Sequence, residues 1–266
     1  MSPVRAWWLL TRAAVRAQAQ YRVNVVVTVL AGAVYQGVGL ASIAVVLHQF
    51  GDLGTWSVAE VTFLYALRLT AHGVWVAPFN QLLSIDEIVR EGHFDRFLVR
   101  PGNPLLYFLT YRVSLMPTGD LLGGLVLLAV ASAVAPIDWS VAAVAYVVLA
   151  VLGGACLELG IQLGLAALTF RTLSTQALRS TIDTVFNTFG GYPMHIFSGT
   201  AQFVSTFVLP LAFVAYLPGT VLMNRTGELR VPGWLAAGSP VVGCLLLVGA
   251  YAIWVRELRR YQSSGH

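Results

Sequence analysis

The chain contains no lysine and few charged residues of any kind. All sixteen of its basic residues are arginine, 11% of its 266 residues are charged, and 57% are hydrophobic. A globular domain in water carries about 25% charged residues, so the composition excludes a soluble enzyme, a nucleic-acid-binding protein and a disordered tail. Without lysine the chain cannot form a phosphate-binding loop of the GxxxxGK[ST] type or a Schiff base. The mean hydropathy of +0.74 predicts an integral membrane protein.

Cysteine and histidine are also scarce, which limits metal and redox chemistry. The two cysteines, Cys156 and Cys244, lie inside apolar runs and have no metal-ligand spacing. Three of the histidines, His48, His93 and His195, have no partner nearby in the sequence. No Ser, His and Asp residues, and no two carboxylates, have a spacing in the sequence that indicates a catalytic site. We therefore predict no metal site and no catalytic residue.

Long apolar runs predict an all-α integral membrane fold that occupies residues 1–266 as one domain. Because about 20 apolar residues cross a bilayer, six spans are predicted, at about 23–47, 58–83, 105–134, 139–170, 176–196 and 234–255. Residues 2–21 alternate arginine with tryptophan and alanine, which favours a helix in the membrane interface. Pro210 and Pro218 interrupt residues 198–223. That stretch predicts two short helices meeting at Pro210, as a re-entrant hairpin on the outer side.

The distribution of arginine predicts the orientation of these spans. With the N-terminus inside, twelve arginines fall in cytoplasmic segments and two, Arg225 and Arg230, fall outside. The positive-inside rule then predicts cytoplasmic N- and C-termini. The pI of about 9.3 is explained by this orientation, and no nucleic-acid partner is implied.

The most polar stretch, Ser84 to Pro104, follows the second predicted span and reads SIDEIVREGHFDRFLVRPGNP. Ser84 and Glu87 have the spacing of a capping box, and Gly92 is placed to end the helix that follows. Phe94 and Phe97 give this segment a large apolar surface. A short amphipathic helix at the cytoplasmic surface could dock on another protein, or it could lie on lipid. The pattern alone leaves both alternatives open.

Two motifs in this sequence resemble those of a known transporter class. Residues 90–105 match the pattern REG..D..L.RP.NPL, and residues 207–218 read FVLPLAFVAYLP. Together with the order of the spans, they resemble the membrane subunits of ABC transporters of the class that includes daunorubicin-resistance and polysaccharide-export permeases. More narrowly, they resemble a bacterial branch of that class that carries this loop pattern.

The resemblance implies a permease subunit of a bacterial ABC exporter in the cell membrane. It implies that two permeases, identical or homologous, pair in the bilayer, and that separate ABC ATPase subunits bind ATP and Mg while this chain binds no cofactor. The hairpin would roof the pathway, and Ser84–Arg100 would be the coupling helix that receives the ATPase. The residues implied in that coupling are Glu87, Arg90, Glu91, Gly92, Phe94, Asp95, Arg96, Phe97 and Arg100. The alternative function is a membrane-embedded enzyme of lipid metabolism, which needs acidic or histidine ligands clustered at one membrane face; no such cluster is visible in the sequence.

Four of the charged residues inside the predicted spans lie deep in the membrane, where charge is costly and marks a functional site by default. Their depths predict two ion pairs, Arg68 with Asp120 and Arg112 with Glu158. These pairs could simply lock the helices together. Alternatively, Arg68 and two residues of its helical stripe could line a polar part of the substrate pathway; those two residues are His72 and Trp75.

Overall fold

The computed structural model describes residues 55–262 apart from 112, 113, 115, 116, 173, 229 and 230, together with nine isolated positions before residue 38. Apart from those nine positions, the predicted interfacial helix at 2–21 and the predicted first span at 23–47 lie outside the described residues. Within the described part the protein is helical and has no strand. The α-helices are α1 (Val58–Phe79), α2 (Ile85–Arg90), α3 (Asp95–Leu98), α4 (Pro104–Leu109), α5 (Thr118–Val134), α6 (Val141–Thr172), α7 (Gln176–Phe189), α8 (Gly199–Phe203), α9 (Tyr216–Leu222), α10 (Gly233–Ala237) and α11 (Ser239–Leu258).

Two of the described helices, α6 and α11, are long and apolar enough to cross a membrane. Two further segments, Gly199–Val208 and Leu211–Leu222, are together long and apolar enough to cross a membrane, and they are bent by 72° relative to each other. Counted as one span, this pair is the third. The bend falls next to Pro210, where the sequence predicts a break between two helices; that the segment is a re-entrant hairpin stays a prediction. The second proline of this segment, Pro218, lies in the first turn of α9, where a missing backbone N–H costs no helical hydrogen bond.

The helices pack closely because glycines stand at their crossings. Gly124 of α5 lies against the backbone of Thr70 in α1, so that an added Cβ would come within 2.9 Å of it. The α6–α11 crossing is tighter, because a Cβ added at Gly243 would lie 1.9 Å from the carbonyl oxygen of Gly153. Small residues allow such close backbone approach in membrane helices. As a result, α6 is held by α1 on one side and by α11 on another.

Three of the predicted spans differ from the helices that the structure describes. The predicted span 105–134 is interrupted, since α4 ends at Leu109 and α5 starts at Thr118; Pro117 disfavours helical geometry at the residue before it. Within the predicted span 176–196, α7 ends at Phe189, because two glycines and Pro193 follow it. The predicted span 58–83 leaves α-helical geometry after Phe79 and continues as a 3₁₀ turn, Asn80–Ser84.

Candidate functional site

The loop at residues 85–100 contains two short helices and a sharp turn. The predicted capping box is absent, because Ser84 makes no side-chain cap. Its backbone (φ −96°, ψ 9°) continues the preceding 3₁₀ turn, whereas a capping residue needs extended geometry. Gly92 has φ +68°, which confirms the left-handed end predicted for the first helix. The turn that follows separates α2 from α3, so Ser84–Arg100 is not one continuous helix.

Phe94 and Phe97 are buried inside the protein, so the prediction that they form an exposed docking surface was wrong. Phe94 is 0% exposed and Phe97 is 1% exposed. The Phe94 ring centroid lies 5.0 Å from that of Phe170 in α6 and 6.2 Å from that of Trp254 in α11. Aromatic pairs at these distances add to the free energy gained by burial. The two phenylalanines therefore fasten the loop to the helix bundle; we call Phe94, Phe97, Phe108, Phe170, Trp254 and Tyr261 the aromatic cluster.

Two further loop residues pack around this cluster. The guanidinium of Arg96 lies 4.0 Å from the ring centroid of Tyr111, as a cation–π contact. Burial and the nearby Asp95 carboxylate raise the pKa of Tyr261 to about 12. Asp95 and Arg96 are both half-buried, so these residues also belong mainly to the contact between the loop and the bundle.

A buried ion pair joins the loop to α7. Asp86 Oδ2 lies 3.0 Å from Nη1 of Arg179, and each side chain is 4% exposed. Arg179 also donates to the backbone oxygen of Leu82 at 2.7 Å and to Gln162 Oε1 at 3.2 Å. Asp86 accepts a hydrogen bond from the backbone N–H of Thr175. Asp86 thus ties the loop to α7 and to the connection between α6 and α7, while Arg179 also joins α7 to α6.

Sequence analysis missed this pair. It placed Arg179 among the cytoplasmic arginines and did not single out Asp86. One signal was available: Asp86 lies three residues before Val89, so both occupy the buried face of α2. A carboxylate on that face needs a buried partner.

The outward surface of the loop carries the remaining predicted coupling residues. Glu87, Arg90, Glu91 and Arg100 are exposed, and Gly92 is half-buried. The side chain of Val99 is 83% exposed, and its neighbour Leu98 is 40% exposed. We call the exposed residues of this surface the loop face: Glu87, Arg90, Glu91, His93, Leu98, Val99 and Arg100.

A second buried charge lies at the middle of α6. The side chain of Glu158 is 4% exposed, and its Oε1 lies 3.6 Å from Nε of Arg68. Its Oε2 lies 2.7 Å from His72 Nδ1 and accepts a hydrogen bond of 2.8 Å from Trp75 Nε1. Arg68 also donates to Asn187 Oδ1 at 2.7 Å. This group, the Glu158 centre, joins α1, α6 and α7.

The ion pairs predicted from depth were wrong for Arg68. Its carboxylate partner is Glu158 on α6, where Asp120 on α5 was expected. Arg112, the partner predicted for Glu158, lies outside the described residues. Depth gives one coordinate along a span and leaves the rotation of the helix undetermined. The stripe that contains Arg68, His72 and Trp75 faces α6, whereas α5 packs against Thr70 and Gly73 of α1.

The residues matched by a protein-family model cover most of the chain. The model of the ABC-2 family transporter protein matches residues 33–265. The chain belongs to the ABC-2 transporter family. Neither a curated protein nor a solved structure matches it.

Family membership makes this chain the transmembrane subunit of an ABC transporter and a multi-pass membrane protein. An ABC-2 permease is the transport component and associates with ABC ATPase subunits. Nothing in the site supports the alternative of a lipid-metabolising enzyme. Among the described residues, no group of three or more His, Cys, Asp or Glu side chains is placed to hold a metal ion.

Proposed function

We propose that this ABC-2 permease is the membrane subunit of an exporter in the bacterial cell membrane and that separate ATPase subunits drive it through the loop face. Two such permeases, identical or homologous, pair to form the pathway. ATP and Mg bind on the ATPase, and the permease contributes no catalytic residue. Both termini are cytoplasmic. The observation that carries the coupling role is the buried attachment of the loop to α6, α7 and α11.

This attachment allows a displacement of the loop to reach the spans. Asp86 is bonded to α7 through Arg179, and Phe94 packs against Phe170 near the end of α6. Two buried connections at different points resist independent motion of the loop, because breaking a buried ion pair costs about 3–5 kcal/mol. A push on the loop face therefore moves α6 and α7 together with the loop.

The chemistry of the loop face suits protein docking. Leu98 and Val99 expose apolar surface, and Arg90 and Arg100 lie on the same segment. An interface with an apolar centre and a charged rim is the usual arrangement for stable protein association. The docking anchors are thus Leu98 and Val99, and the buried phenylalanines hold the loop in place beneath them.

The Glu158 centre locks α1 to α6 and α7 in this conformation. Arg68 and Glu158 are almost completely buried, so the pathway role proposed for Arg68, His72 and Trp75 applies when these helices separate. A separation that exposes Glu158 lets water replace the contacts among these charges. The same residues then line a polar part of the pathway.

The coupling role is tested by Val99→Asp, with Ser174→Asp as a control. Both positions are exposed, so neither change disturbs the core, but only Val99 belongs to the loop face. We expect Val99→Asp to lose ATPase copurification and substrate-stimulated ATP hydrolysis, because a charge at an apolar anchor leaves an unpaired group in the interface. Ser174→Asp should retain both. If Val99→Asp keeps its ATPase and its full stimulated turnover, the loop face is not the coupling surface.

A further inference from the structure

A cluster of charged and aromatic residues lies at the end of α1 opposite to the loop. Trp56 and Glu60 stand at the start of α1, and Tyr216 starts α9. Arg225 and Glu228 belong to the segment that follows α9. We call these five residues the Glu228 cluster. None of them was singled out as a functional residue from the sequence.

The single arginine of this cluster, Arg225, bonds mainly to one of the two carboxylates, that of Glu60. Arg225 donates to both oxygens of Glu60, from Nε at 2.7 Å and from Nη2 at 3.3 Å. It makes one contact with Glu228, from Nη1 to Oε1 at 3.2 Å. Its other bonds go to Thr55. Because a two-point arginine–carboxylate pair is the strongest of these contacts, Glu60 is neutralised and Glu228 is only partly compensated.

The other hydrogen-bond donors to Glu228 are neutral groups. Its Oε2 accepts hydrogen bonds from Trp56 Nε1 at 2.8 Å and from the Tyr216 hydroxyl at 3.0 Å. The ring of His195 approaches within 3.7 Å, but neither ring nitrogen makes a hydrogen bond. Apart from the His195 ring, the described groups that carry charge here are two carboxylates and one guanidinium, whose charges sum to −1. That charge resides on Glu228.

A cavity of about 450 Å³ opens beside this carboxylate. Glu228, Phe203 and Phe207 are among the residues that line it. The two phenylalanine rings lie 5.2 Å apart and are 59% and 56% exposed. Gln202 and Thr206 also line the cavity, and their side chains donate hydrogen bonds to backbone oxygens of Phe197 and Gln202. The volume is within the range of small-molecule sites, about 300–1,000 Å³.

We propose that this cavity binds an organic cation, with Glu228 as its counter-ion and Phe203 and Phe207 as its aromatic wall. A carboxylate that lacks a full partner favours a positive charge. Aromatic faces attract quaternary and primary ammonium groups, and they do so more strongly when the site is shielded from water. The proposal concerns the end of the bundle away from the loop face, so it stands whether or not the loop binds the ATPase.

The test uses the full chain in lipid nanodiscs without any ATPase, so its outcome is separate from that of the coupling experiment. Binding of phenyltrimethylammonium is measured by equilibrium dialysis and compared with its neutral isostere, tert-butylbenzene. We expect saturable binding of the cation that the neutral compound does not displace. Glu228→Gln should weaken cation binding at least about tenfold, since the counter-charge is lost. Asp138→Asn, which removes an exposed carboxylate that does not line the cavity, should leave it unchanged.

The aromatic wall gives a second measurement that does not alter any charge. Phe203→Ala should weaken cation binding by about 2- to 30-fold, in line with cation–π energies of ~0.5–2 kcal/mol. Equal displacement of the cation by tert-butylbenzene would show an apolar cavity without charge selectivity. Unchanged affinity in a folded Glu228→Gln variant would place the charge recognition elsewhere. Either result overturns the proposal.

Discussion

The buried Asp86–Arg179 pair should behave as one energetic unit. Asp86→Asn keeps the shape of the side chain and removes its charge, and Arg179→Met removes the positive charge with a chain of similar length. Each single variant leaves one charge in a site where both side chains are 4% exposed. Removing one partner of a buried ion pair costs about 3–5 kcal/mol. The double variant leaves no uncompensated charge, so it should cost no more than the costlier single variant.

The difference between the double variant and the sum of the singles is the measured quantity. Coupling energies of contacting residues are about 0.5–3 kcal/mol, and this pair should fall at the upper end because both of its side chains are almost completely buried. With a shift of about 2–4 °C per kcal/mol for a chain of this size, each single variant should lower the melting temperature by roughly 6–20 °C.

Thermal unfolding in detergent, followed by circular dichroism, measures all three variants under the same conditions. Glu87→Gln is the matched control, because it removes the neighbouring carboxylate, which is exposed; its melting temperature should stay within about 2 °C of the unchanged protein. Additive losses in the double variant would show that Asp86 and Arg179 act independently. In that case the argument that this pair joins the loop to α7 fails.

Two further predictions concern the helix crossing and the aromatic cluster. Gly243→Ala should destabilise the protein by about 1–3 kcal/mol, because its Cβ would overlap the Gly153 carbonyl oxygen. Gly249→Ala on the same helix places its Cβ in open space and should be neutral or stabilising in the same thermal unfolding experiment. Equal effects of the two variants would refute the close crossing at Gly243. The pKa of Tyr261 is raised to about 12 by burial and Asp95, above the ordinary value of about 10, so its contribution to stability is complete below pH 10 and is lost as the pH rises to 12. The difference in tyrosinate absorbance between the unchanged protein and Tyr261→Phe should therefore appear near pH 12, and its appearance near pH 10 would contradict the burial of this phenol.

Local features of the chain were predictable because their causes are local. The few charges and the high mean hydropathy of the sequence predicted a membrane protein. The loop pattern at 90–105 indicated the ABC permease family that the family match confirms. Gly92 and Pro210 were correctly placed at a left-handed turn and at a break between two helices, since each follows from the backbone geometry of one residue.

The roles of individual side chains needed the tertiary structure. Phe94 and Phe97 have the pattern of a docking surface, and only the packing of α6 and α11 over the loop shows that they are buried. The capping box failed for a similar reason, because the preceding turn holds Ser84 in a conformation unsuited to a cap. In both cases, neighbours that are distant in sequence decided the environment of a correctly noticed residue.

The partners of the buried charges were the feature least accessible from the sequence. A sequence gives the depth of Arg68 and Glu158 within their helices, but the contact between them depends on how α1 and α6 are rotated about their own axes. Likewise, Asp86 and Arg179 are 93 residues apart in the sequence, and they meet only because α7 packs against the loop. Attraction between charges falls with their distance in space and grows as water is removed, so the free energy that selects each partner exists only in the packed bundle.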